Sequence, residues 1–177
     1  VRSEQGFTLV ELVITMVVAV ILISIAVPSF TRIIATNRLT TTTNEIIAAV
    51  NVARMEAVKR NSSIAFCSDS AANNTTDTLG SACGTQVGAI YLLTSGTNTT
   101  QVRASLPGIV WPIQLSGSVT ALRFSGTGFA KAVGATAPYG GTVADICTTA
   151  TSADNHQKIT MSTGSIMAVT SYTGTCP

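Results

Sequence analysis

Hydrophobic positions along the chain fall into three regimes. Phe7 to Val27 is continuously apolar apart from a few hydroxyls, and Glu11 is its sole ionisable residue. Its 21 residues would extend roughly 32 Å as a helix, enough to cross a bilayer core. Beyond Pro28 the apolar residues thin out. Leu39, Ile46, Val50, Ala53 and Ala57 step by 7, 4, 3 and 4, which draws one helical face, with Ile47 and Val58 widening it. Asn44, Glu45, Arg54 and Lys59 fall on the other side. Proline between two helical flanks kinks a helix more often than it ends one. The spacing therefore predicts one helix from Phe7 to about Arg60, reaching about 80 Å. Its weakest stretch is "LTTTTN", Leu39–Asn44, where β-branched threonines lose side-chain freedom.

From Asn61 onward the pattern changes to short apolar runs broken by Gly, Ser, Thr and Asn. "SIAFCS" (63–68), "GAIYLLTS" (88–95), "VRASL" (102–106) and "GIVWPIQLS" (108–116) read as strands or strand fragments, with Pro112 marking an edge or bulge. "AANNTTDTLGSACGT" (71–85) reads as a loop. Two hairpins are predicted, one over Ala121–Val133 turning at Ser125–Gly128, the other over Gln157–Thr170 turning at Ser162–Gly164. The fold class is therefore α+β: a long N-terminal helix, apolar in its first half and amphipathic in its second, packed on a β-rich domain of antiparallel sheets.

Charge narrows the function classes. From Thr31 to Pro177 there are nine Lys/Arg against six Asp/Glu, a mild basic surplus far from the dense stripe of a dedicated nucleic-acid binder. Four cysteines, Cys67, Cys83, Cys147 and Cys176, all follow the apolar run, which suggests an oxidising compartment. Of three possible pairings, Cys67–Cys83 and Cys147–Cys176 are favoured because each closes a local loop. The first would contribute about 3 kcal/mol by loop entropy. Zinc is disfavoured: no C-x2-C pair occurs, and His156 is the single histidine. No cofactor or metal is expected.

The N-terminus does not fit a cleavable secretory signal, whose apolar core is shorter. A plain anchor explains the length but not Glu11, because a charge inside a span costs about 2.5–3.5 kcal/mol at the centre and calls for a partner. "FTLVELV" behind "VRSEQG" resembles the class III signal of type IV pilins and pseudopilins. The resemblance implies cleavage between Gly6 and Phe7 by a prepilin peptidase, then N-methylation of the new Phe7 amine. It implies a helix kink at Pro28, where members commonly carry proline. It also gives Glu11 a partner, the Phe7 amine of another subunit, in an intersubunit salt bridge. The segments would be a leader over 1–6, a transmembrane helix over 7–30, its amphipathic continuation over 31–60, and a β-rich periplasmic domain over 61–177. Arg2 with Glu4 before the span, and Arg32 with Arg38 after it, set no positive-inside bias. An N-in orientation across the inner membrane rests on the motif and the cysteines.

"GAIYLLTS", "LRFSGTGFA" with its Phe124-x-x-x-Gly128, and the closing "KITMSTGSIMAV" look like the GspH/FimT branch of minor pilins. That likeness implies a FimT/FimU-like minor pilin that helps initiate or cap a type IV pilus near its tip. Its partners would be other major and minor pilins in a helical filament. Two alternatives are a DNA-binding minor pilin for natural transformation and a minor pseudopilin of type II secretion. DNA-binding relatives carry a Gly-Arg-x-Arg motif near the last hairpin, whereas the counterpart here is Gly164-Ser165-Ile166-Met167. Arg103, Arg123, Lys131 and Lys158 remain as candidate phosphate contacts, and DNA is disfavoured. Catalytic chemistry is not expected. No P-loop, H-E-x-x-H or dinucleotide fingerprint occurs, and His156 near Asp154 reads as a solvated loop residue. Trp111, Tyr91 and Phe124 read as core.

Overall fold

A computed structural model describes residues 7–74, 77–107 and 109–177. The leader expected over 1–6, including Gly6, lies outside the described residues. The chain divides into two compact units, 1–34 and 35–177.

Helix α1 (Leu9–Arg60) runs through Pro28 without interruption. Its described residues up to Ile34 are all exposed. In the second unit, Leu39, Ile46, Val50, Ala53 and Ala57 are buried, together with Ala35, Thr42, Thr43 and Ala49. Burial within the threonine-rich stretch is tolerated because Thr43 Oγ1 donates to the Leu39 carbonyl at 2.9 Å, so its buried hydroxyl is paired. Val58 departs from the expected face. It is exposed, because the small residues Ala49, Ala53 and Ala57 carry the close approach and leave it outside. The C-terminus of α1 is supported by Lys59 and Arg60 near the negative end of the helix dipole. Arg60 also pairs with Glu56 one turn back at 2.5 Å, and Asn61 at φ 48° turns the chain out.

The remaining elements are β1 (Ile64–Phe66), α2 (Ala71–Asn74), α3 (Thr78–Cys83), β2 (Ile90–Ser95), β3 (Asn98–Arg103), β4 (Ile113–Leu115), β5 (Leu122–Phe124), β6 (Ala130–Ala132), β7 (Gly141–Thr148), β8 (His156–Ser162) and β9 (Ile166–Tyr172). They form two antiparallel sheets, in the orders β3-β2-β1-β5-β6 and β4-β7-β8-β9. One core joins the buried face of α1 to both sheets through Ile64, Phe66, Ile90, Leu122, Phe124, Ile146 and Ile159. The sheets are also stitched at one end. The Ala130 amide donates to the Gly164 carbonyl and the Gly164 amide to the Tyr139 carbonyl, both at 2.7 Å. Gly164 sits at φ +67° with the Ala130 backbone against it, so a side chain there would be both strained and obstructed.

The 71–85 segment, expected as a loop, holds α2 and α3. It closes a second cluster of Ala65, Cys67, Leu79, Cys83 and Ala89 over the far side of β1. Asp77 starts α3 by accepting from the Gly80 amide at 2.6 Å. Buried Asn74 accepts from the Ser68 amide and donates to the Ser68 and Gly84 carbonyls, so its polar groups are all engaged. The Cys67–Cys83 and Cys147–Cys176 disulfides are formed.

Three further expectations, the 108–116 strand and the placing of Trp111 and Tyr91 in the core, need correction. The 108–116 strand shrinks to three residues. Its Trp111–Pro112 peptide is cis, and Trp111 stands 78% exposed outside the core. Tyr91 is half-buried, while Phe124 is buried as expected. Strand β7 has no counterpart in the sequence reading. From Val143 to Thr148 it is buried on consecutive positions, so the polar–apolar alternation that reveals half-buried strands is missing.

Candidate assembly site and surface chemistry

The first unit is a helix segment whose apolar residues point outward all round: Leu9 is 78% exposed, Ile25 67% and Phe30 65%. A helix apolar on every side is built for lipid or for other helices. Its hydroxyls are neutralised locally. Thr15 Oγ1 donates to the Leu12 carbonyl at 2.8 Å, Ser24 Oγ to that of Ile21 at 2.7 Å, and Thr31 Oγ1 to that of Pro28 at 3.0 Å. Such back-bonding lets polar side chains sit in an apolar medium. Length and composition qualify α1 to cross a membrane.

Glu11 is different. It lies in the first turn of α1, where the helix dipole favours an anion, and its backbone amide donates to Thr8 Oγ1 at 3.3 Å. Its carboxylate has no partner among the described residues. Phe7, four positions earlier, is 69% exposed. Between them stand only Thr8, Leu9 and Val10.

The candidate phosphate contacts fall on different strands. Arg103 ends edge strand β3 and lies 3.5 Å from the Glu45 carbonyl. Arg123 on β5 is engaged: Nε and Nη2 bond the two Asp77 carboxylate oxygens at 2.8 and 2.9 Å, and Nη2 reaches the Asn74 carbonyl at 2.9 Å. The guanidinium beside Asp77 holds its carboxyl below the usual range, with the Gly80 amide assisting. Lys131 pairs in register with Arg123. Lys158 belongs to the other sheet, its ammonium 5.0 Å from the centroid of the Tyr172 ring. Gly164 and Ser165 form the β8–β9 turn, and Arg54 of α1 contacts the Ser165 carbonyl at 3.5 Å.

His156 is not a solvated loop residue beside Asp154. It opens β8, is 1% exposed, and its Nδ1 faces Asp145 Oδ1 at 3.3 Å. The Tyr172 hydroxyl donates to the other oxygen of Asp145. That bond, then burial, pushes the Tyr172 hydroxyl up to about 12. The tail over 173–177 seals this group: Gly174 lies against the His156 ring and exchanges two hydrogen bonds with Asn155, and Cys176 is tied to Cys147. Asp145 is eleven residues from His156, so nothing in the sequence paired them. Among the described residues, no three His, Cys, Asp or Glu gather to hold a metal.

An apolar helix with a lone carboxylate in its first turn, carrying a two-sheet domain, defines a pilin-like assembly subunit. The chain matches the family model for type II transport protein GspH over residues 42–165 and the prokaryotic N-terminal methylation motif over residues 1–27. Comparisons with curated proteins and with solved structures gave no significant match. The chain belongs to the GspH family and is a type IV pilin-like minor subunit.

Proposed function

We propose that this chain is a minor pilin of a type IV pilus that acts through protein contacts, without turnover. A prepilin peptidase cuts between Gly6 and Phe7, and the Phe7 amine is methylated. The helix anchors the subunit in the inner membrane with its N-terminus cytoplasmic and its domain periplasmic. It then joins the filament near the tip, helping to initiate or cap assembly. The carrying observation is Glu11: a carboxylate without a partner among the described residues, on a stretch from Phe7 to Val27 that is otherwise uncharged and exposed throughout. An ion removed from water without its partner costs about 3–5 kcal/mol, and the amine of an incoming subunit would relieve that cost in one register only. Glu11→Ala is therefore expected to insert in the membrane normally yet be lost from sheared filaments. Wild-type amounts of Glu11→Ala in filaments would remove the basis of this reading.

The family match itself favours a second reading, a minor pseudopilin of type II secretion. Deleting the gene separates the two: loss of piliation and twitching supports the first, loss of exoprotein release the second. A DNA-uptake role draws less support, because Arg123 is held by Asp77 and the other candidate cations lie on separate strands. Tight DNA binding by the purified chain that weakens steeply with salt would revive it.

A further inference from the structure

Sheet edges expose unpaired amides and carbonyls, and proteins commonly blunt them. Three of the four edges here are blunted. Strand β4 has three residues and follows Pro112. Strand β6 also has three, includes Lys131, and is bonded by Gly164 and Tyr139. Strand β3 is interrupted by two register shifts against β2 and ends in Arg103.

Strand β9 has none of these devices. "IMAVTSY" contains no charge, proline or glycine, and it runs in unbroken register with β8 over seven residue pairs. Among the described residues, no backbone–backbone hydrogen bond joins it to anything but β8. Two large apolar side chains on it are open to solvent: Ile166 at 64% and Val169 at 44%. Val169 pairs with Ile159, so it lies on the core side of the sheet, where apolar cover is missing.

We propose that β9 pairs antiparallel with β9 of a second copy of this chain, about a two-fold axis through Val169. The sequence of the strand is self-complementary in that register. Val169 meets Val169 of the other copy, continuing the Ile159–Val169 row of the core. Ile166 meets Tyr172, so the most exposed large apolar side chain of the strand is laid beside an aromatic ring. Ala168 meets Thr170 and Met167 meets Ser171, and no like charges are opposed because the strand has none. Cross-strand pairs of this kind are the unit of sheet stabilisation, and a two-fold contact of identical patches closes on itself. The two four-stranded sheets become one of eight strands. A single strand pair is a small interface, so the dimer should be reversible and concentration-dependent. This inference does not depend on the pilus reading.

The test is sedimentation equilibrium of the full chain in density-matched detergent micelles. The wild type is expected to pass from monomer to dimer with concentration. Val169→Lys and Val169→Glu each place like charges face to face on the axis, and each should weaken pairing at least tenfold. Mixing the two in equal amounts should restore a dimer, because lysine then faces glutamate. Hydrogen exchange on the wild type gives a readout free of substitution: β9 amides should gain protection as concentration rises. A wild type monomeric throughout, a Val169→Lys dimer as strong as wild type, or β9 amides indifferent to concentration would overturn the proposal. So would a mixture of folded variants that stays monomeric.

Discussion

Arg123 shows how one side chain can be claimed by structure before function reaches it. It is 13% exposed and joins β5 to the cap of α3 through Asp77 and the Asn74 carbonyl. Arg123→Ala should cost about 1–3 kcal/mol, because a charge-assisted pair and a carbonyl lose their donor. The pH dependence follows from Asp77. Its folded carboxyl titrates below the unfolded one, so the stability it contributes is present above about pH 4 and is lost as pH falls through the folded value. The gap between denaturant curves of wild type and Arg123→Ala should therefore be largest near pH 7 and narrow as pH falls through the folded Asp77 value, leaving the share owed to the Asn74 carbonyl. A gap that does not narrow in acid would assign the effect to the Asn74 bond and the packing of the arginine stem. Tyr172 titrates in the opposite direction. Its hydroxyl is raised to about 12, so its stabilising effect is complete below about pH 10 and fades as pH climbs through the folded value. Ultraviolet titration should show one tyrosine ionising late, and Asp145→Asn should return it toward the ordinary range.

At the scale of elements, α1 and the closing tail illustrate burial from two directions. Ile46 faces the core and is 0% exposed, while Val58, twelve residues later on the same helix, is half exposed. Ile46→Ala should cost about 2–5 kcal/mol and Val58→Ala less than about 0.5, as thermal or denaturant unfolding would show. Equal effects would mean that the described face of α1 is wrong. The tail acts on β8 from the opposite side of the sheet. Replacing Cys147 and Cys176 with serine should cost about 2–4 kcal/mol and open the His156 ring to water. Carbethoxylation of His156 by diethyl pyrocarbonate, slow in wild type and fast in that variant, would report the opening.

For the whole molecule, the helical half was legible and the sheet half was partly so. The period of Leu39, Ile46, Val50, Ala53 and Ala57 carried the amphipathic face because every turn repeats one packing environment. Both hairpins were legible because Gly128 at φ +77° and Gly164 at φ +67° mark the turns in the sequence itself. Strand β7 was hidden because cover on both faces erases alternation. His156 was misread because its burial comes from a tail that returns through Cys176. Trp111 was read as core, whereas its place beside Pro112 in a short connection puts it outside.

Local chemistry, by itself, determined the membrane-length apolar helix, the lone carboxylate at its start, the α+β class and the even set of cysteines. Each is a property of neighbours in the chain: period, spacing, composition. The order of strands, the engagement of Arg123 by Asp77, the sealed Asp145–His156–Tyr172 group and the unblunted edge of β9 were decided only by the tertiary structure. They depend on contacts between residues distant in the chain, 11 positions for Asp145–His156, 46 for Arg123–Asp77 and 60 for Ile64–Phe124. No local pattern encodes which distant surface a side chain will meet, because the core that brings them together forms from the whole domain at once.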